Sequence, residues 1–348
     1  MTRISLAKVP AREGAARGVE GEAAFKAKGV PGGRWRFGSN PGADAPALEA
    51  LPRRRTPGPR PEKFAILRGS RERRGAPMTD PPATVAAACR SVLLAAAPAD
   101  KIRAARAAAR AWRKGALVHA FDLAMPDRPA RPARPELLPA SHMPKRGKGG
   151  SERGRIAMLH ALAHIEYAAI DLAFDLAGRF GAGFPPAFVA DWFGVGADEA
   201  MHFALLDRRL RAYGSCYGAL PAHDGLWEAA AATAHDPLAR LAVVPMVLEA
   251  RGLDVTPPTI ERFAAAGDAR SAAVLGRIYR DEIRHVAAGT KWFRIACEWR
   301  GIEAVSEWQR LVGRHFRGLV KPPFNDSARL EAGLSRDFYA GLAPAGYV

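Results

Sequence analysis

Asp198-Glu199-Ala200-Met201-His202 and Asp281-Glu282-Ile283-Arg284-His285 are two copies of one short pattern, and their reading decides the fold. Glu and His stand three apart in each copy, so on a helix both side chains project to the same side. The positions sharing that side are otherwise apolar. They are Trp192, Val195, Phe203, Leu206 and Leu210 around Glu199, and Leu275, Ile278, Val286, Phe293 and Ala296 around Glu282. A carboxylate inside an apolar stripe costs several kcal/mol unless a metal ion or a buried cation compensates it.

Two further carboxylates select the metal. Glu166 shares a face with Leu159, Leu162, Ile170, Ala173 and Ala177, and Glu249 with Ala242, Pro245, Met246 and Leu253; neither face carries Lys or Arg. Glu166 precedes Glu199 by 33 residues, and Glu249 precedes Glu282 by 33. The chain thus reads twice as a helix with Glu followed by a helix with Glu-x-x-His, the ligand order of carboxylate-bridged dinuclear centres. Glu166, Glu199, His202, Glu249, Glu282 and His285 are the expected ligands of two iron ions, with an iron–manganese pair as the alternative. Asp198 and Asp281 each precede a histidine by four residues. A metal-bound imidazole needs an acceptor on its other nitrogen, and either aspartate would serve its own histidine or the one on the facing helix.

Other polar residues have plainer readings. His160 and His164 lie well around the helix from Glu166, near Asp171 and Asp175, and read as a polar second face or an inter-helix hydrogen-bond cluster rather than as ligands. Tyr279, three residues before Glu282, reads as a core tyrosine, with a role beside the metal as the alternative. Pro245 removes a helical hydrogen bond one turn before Glu249, which either repositions that carboxylate or marks a kinked helix start.

Composition agrees with an all-α class, since period-2 alternation is scarce in 348 residues of 48% apolar composition. Residues 1–77 hold 17 Lys/Arg against 7 Asp/Glu, a large part of the net charge of +17, in a Pro/Gly/Arg-rich stretch without helical period. They read as a disordered basic tail or as a mis-assigned start ahead of Met78. Residues 78–125 read as a helical pair around Pro98, and 126–150 as a Pro/Arg/Lys-rich solvated connector. Residues 151–301 carry the candidate bundle, with helices near 152–178, 185–213, 238–252 and 268–300. Thr256-Pro257 caps a separate helix, and residues 302–348 add closing helices at about 303–319 and 328–341. Cys89, Cys216 and Cys297 fit no CxxC spacing, which argues against a disulfide framework. No uninterrupted apolar run reaches membrane-spanning length, so the expectation is a cytoplasmic protein without a membrane.

The segments Ser151–Ala157, His160–Glu166, Ala197–Phe203, Val243–Asp254 and Asp281–His285 resemble the ferritin-like superfamily. They are similar above all to the bacterial family called domain of unknown function 455, over about Met78 to Ala340. The resemblance implies a ferritin-like four-helix bundle with additional N- and C-terminal helices. Asp-Glu-x-Arg-His is similar to the form found in di-iron hydroxylases and ribonucleotide reductase small subunits. It implies that Asp281 binds a metal-bound histidine and that Arg284 stabilises the bundle. The first copy departs from it with Met201 in place of Arg, and Gly194 and Gly196 loosen the helix before it.

The expected function is O₂-dependent oxidation of an unidentified small molecule at a di-iron centre, with a separate electron donor. Metal handling, as ferroxidase or peroxide scavenger, is the rival. A tRNA-modifying hydroxylase is a third reading; nucleic acid is disfavoured because much of the excess charge lies in 1–77. A homodimer is compatible with the sequence.

Overall fold

The computed structural model describes residues 84–144 and 151–342, and no strand occurs among them. The basic stretch 1–77 lies outside the described residues. Thr84 caps α1 (Val85–Leu93) through its hydroxyl, and Pro98 opens α2 (Pro98–Arg113), where a missing N–H costs nothing. Ser151 accepts from Gly154 N at the head of α3 (Glu152–Phe180), and Pro186 opens α4 (Pro186–Ala212). The Glu166 and Glu199 stripes fall on these two helices.

The chain then departs from the sequence reading. A short helix, α5 (Gly225–Ala232), intervenes and buries Trp227. From Pro237 the backbone is helical to Ala265 without a break: α6 (Pro237–Val243), a π-helical turn (Val244–Glu249), then α7 (Ala250–Ala265). Thr256-Pro257 therefore starts no new helix; Pro257 and Pro258 sit inside α7. Pro257 leaves the Leu253 carbonyl without its helical donor, and Asn325 Nδ2 supplies one at 3.1 Å. Asp268 then caps α8 (Ala269–Trp299). It is followed by α9 (Ala304–His315), α10 (Asp326–Glu331) and α11 (Arg336–Tyr339), so two short helices replace the one expected over 328–341.

The long segments close on one another: α3 packs on α4, α4 on α8, and α8 on the π-turn and α7, while α6 touches both α3 and α8. The apolar faces read from sequence fill the space between them, and Trp192, Phe203, Leu206, Val286 and Phe293 are all buried. Gly196 does not loosen α4; a Cβ there would lie 2.4 Å from the Phe174 ring, so the glycine admits that ring. The helix α3 with its following turn (Glu152–Gly183) is long and apolar enough to cross a membrane, but 67% of its apolar window is buried inside the protein.

The connector is packed rather than solvated over its described part. Leu138 N donates to Ala222 O, and Trp227 Nε1 donates to Asp127 O. Arg131 reaches Asp171, which is fully buried and also holds the fully buried Lys101. A second buried carboxylate, Asp175, takes Arg179 and Arg240. These cations compensate the two aspartates of α3 from outside the site face, which leaves the Glu166 face to Glu166 alone.

Candidate metal centre

Glu199 and His202 are buried on α4, and Glu282 and His285 on α8, with Glu166 buried opposite them on α3. Glu166, Glu199, His202 and Glu282 each offer an atom within 4.8 Å of the other three. His202 Nδ1 lies 3.2 Å from Glu166 Oε2 and 3.4 Å from Glu199 Oε2. His285 Nδ1 lies 2.8 Å from Glu199 Oε1 and 3.5 Å from Glu282 Oε1. Although the first of these distances is short, the two groups are not aligned for a hydrogen bond, and both ring nitrogens of His285 lack one.

Glu249 ends the π-helical turn. Its Oε2 is sealed from solvent without a hydrogen-bond partner, and its carboxylate lines one cavity with Glu166, Glu199 and Glu282. Pro245, four residues earlier, lies within this turn. The widened turn accommodates the proline, and such turns concentrate at functional sites. Gly289 of α8 makes the approach feasible, because a Cβ there would fall 2.4 Å from the Pro245 Cβ.

The aspartates serve the opposite helix. His202 Nε2 on α4 pairs with Asp281 Oδ2 on α8 at 3.2 Å, and His285 Nε2 on α8 faces Asp198 Oδ2 on α4 at 3.5 Å. Both histidines thus turn Nδ1 toward the carboxylates. Arg284 donates to Asp281 Oδ1 at 2.6 Å and to Asp198 Oδ2 at 3.3 Å, while Arg277 donates to Asp281 Oδ2 at 2.6 Å. One arginine spans both aspartates, which is why Met201 can stand where the first copy lacks an Arg. Tyr279 takes no part: its hydroxyl accepts from Asn325 Nδ2, and it does not line the cavity.

Protons carry the compensating charge. Burial, reinforced by Glu199, holds the Glu166 carboxyl well above its usual range. Burial and the Glu282 and Glu199 charges push Glu249 up to about 8. Burial opposes the charge on His202, but bonds to Glu166 and Glu199 outweigh it and raise the imidazole to about 11. His285 is raised likewise, with Glu199 and Glu282 overcoming its burial. Glu199 is pulled low against its own burial by the two histidines, and Asp281 against its burial by Arg277, Arg284 and His202.

His160 and His164 stand apart in a hydrogen-bonded cluster. His160 Nε2 accepts from Gly218 N at 3.0 Å, and His164 lies 2.9 Å from the Tyr217 hydroxyl and 3.1 Å from the His223 carbonyl. Burial, with Arg131, lowers His164 to about 4, so it is neutral at pH 7.

The molecule is an all-helical protein with a buried cluster of glutamates and histidines between its long helices. Residues 94–340 match the family described as Protein of unknown function (DUF455), and the chain belongs to that family. An uncharacterized protein of Haemophilus influenzae is 42% identical over 213 residues, covering 60% of this chain and 74% of that one. No solved structure matches the chain.

Proposed function

We propose that α3, α4, α8 and the α6–π–α7 segment form a ferritin-like four-helix bundle around a di-iron centre, and that the protein is an O₂-dependent oxidoreductase. The observation that supports this most directly is the buried convergence of Glu166, Glu199, His202 and Glu282 within 4.8 Å. The unpartnered atoms of His285 and Glu249 at the same place fit a metal pair as well. Four carboxylates and two imidazoles match the charge and donor preference of two divalent ions, with iron favoured over an iron–manganese pair for oxygen chemistry.

An iron pair, when bound, supplies electrons and Lewis acidity for oxygen chemistry. The chain's own residues hold and shape that chemistry. Asp281 pairs with His202 Nε2, and Asp198 faces His285 Nε2 at 3.5 Å, so each histidine turns Nδ1 toward the cluster. The buried helices exclude bulk water, and the cavity beside Glu249 gives a small molecule access. Access of this kind favours substrate oxidation over metal handling alone, because a ferroxidase needs no apolar chamber at its carboxylates.

Anaerobic reconstitution with ferrous iron followed by oxygen tests the reading. The expected result is a pair of irons per chain and an optical and Mössbauer signature of a coupled diferric pair. In Glu166→Ala and Glu249→Ala, iron content should drop toward one or none. Full iron content in both variants, or no iron uptake by the wild type, would overturn the proposal.

A further inference from the structure

A cavity of about 170 Å³ opens from the carboxylate cluster. Glu166, Glu199, Glu249 and Glu282 form one side of it, and most of the remaining lining is aliphatic, including Leu162, Leu226, Leu248 and Ile278. Among the described residues no aromatic ring lines it. Ile165 and Val255, both in its lining, are exposed at 42% and 38%, so the mouth is apolar too. Ile165 and Leu226 also line a second, smaller recess together with Ala161 and His164. The aliphatic lining suits an alkyl chain.

Among the described residues, Arg251 is the cation that lines this cavity. Its Nη1 is held by the Lys321 and Pro323 carbonyls at 2.9 and 3.0 Å, which fixes the guanidinium. Its nearest carboxylate, Asp254, is already engaged by Arg329 through Nε at 2.8 Å and Nη2 at 2.7 Å, and lies 3.3 Å from Arg251. Two guanidiniums share one carboxylate, so Asp254 does not fully offset the charge of Arg251. A planar, pre-positioned guanidinium is the group that takes a carboxylate most specifically.

We infer that this protein binds an aliphatic carboxylate, its head group on Arg251 and its chain along Leu248, Ile165 and Leu226, against the glutamate cluster. The inference names a substrate class for the site proposed above and rests on that reading.

Calorimetric titration of the full-length, metal-loaded protein with decanoate and with 1-decanol tests it, with metal content measured on the same preparations. Wild type should bind both. Arg251→Gln should weaken decanoate by about tenfold or more while leaving decanol within about twofold, the loss of a charge-assisted contact. Val255→Trp, at the exposed mouth, should weaken both by about tenfold. Failure of the wild type to bind decanoate, or an Arg251→Gln effect equal on both ligands, would overturn the inference; so would unchanged binding in Val255→Trp. An equal effect would mark Arg251 as only a fastener of residues 321–323. Protein that holds metal but not decanoate defeats this inference alone, and protein that binds decanoate but takes up no iron on reconstitution defeats the di-iron reading alone.

Discussion

At the scale of single residues, crossed pairing distinguishes this site from two independent Glu-x-x-His copies. Asp281 belongs to the second copy by sequence but to His202 by contact, and Asp198 belongs to the first copy but faces His285. Each copy is thus incomplete without the other helix. Replacing Asp281 with Asn keeps the shape and removes the charge that orients His202. Metal affinity should fall by about 10–100-fold with helical content unchanged, as read by chelator competition and circular dichroism. Asp198→Asn should cost less, because its 3.5 Å separation from His285 is longer and it is the more exposed of the two. Equal affinity in both variants and wild type would show that neither aspartate orients a ligand. The pairing was half legible: an aspartate four before each histidine signals a partner, but periodicity on one helix does not say which helix supplies it.

Among the elements, the π-helical turn is the one with consequences for function. It packs against Gly289, where a methyl would strike the Pro245 ring at 2.4 and 2.6 Å. Gly289→Ala should destabilise by about 1–3 kcal/mol through overpacking and displace Glu249, lowering metal content. Gly194→Ala is the internal control, because its Cβ would meet nothing within 4 Å. It should be neutral or stabilising by about 0.5–1 kcal/mol. Chemical denaturation of both variants checks the contrast, and equal effects would remove the role given to the Pro245 approach. A second joint ties the end of α4 to the start of α8. Asp268 accepts from Ser271 N at 3.0 Å, from the Tyr213 hydroxyl at 2.6 Å and from Arg209 Nη2 at 3.1 Å. Burial opposes its charge, but these bonds outweigh it and hold the carboxyl down to about 2. Its folded pKa is below the unfolded value of about 3.9, so its contribution is complete above that pH and is lost as pH falls toward 2. Asp268→Asn should therefore be less stable than wild type at pH 7, and the gap should narrow between pH 4 and 2. A pH-independent gap would show that the carboxylate charge contributes nothing.

For the whole molecule, the metal-free state carries a cost that a metal would relieve. Burial and the neighbouring glutamates hold Glu166 and Glu249 up, and the same glutamates raise His202 and His285 against their burial. A divalent metal that binds only the folded chain stabilises it by mass action, about 2.7 kcal/mol at a hundredfold excess over Kd. Ferrous iron added anaerobically should raise the melting temperature in a concentration-dependent way, and a chelator should reverse the rise. The Glu249→Ala variant should show a smaller rise. A melting temperature indifferent to metal would contradict a site built into the fold.

Periodicity alone determined the all-helical class, the α3, α4 and α8 segments and the stripes on which Glu166, Glu199 and Glu282 lie. Those features depend on positions three and four apart on one helix, which any sequence displays. The unbroken helix through Pro257 was decided elsewhere: Asn325, some 70 residues on, supplies the donor that the proline removes. The same holds for the connector, whose Arg131 is drawn onto a buried Asp171. The π-turn at Pro245 depends on Gly289, and the crossed aspartates depend on how α4 meets α8. Each of these is a pairing between segments distant in the chain. Local pattern shows that a buried group needs a partner; only the packing of helices selects which one it meets.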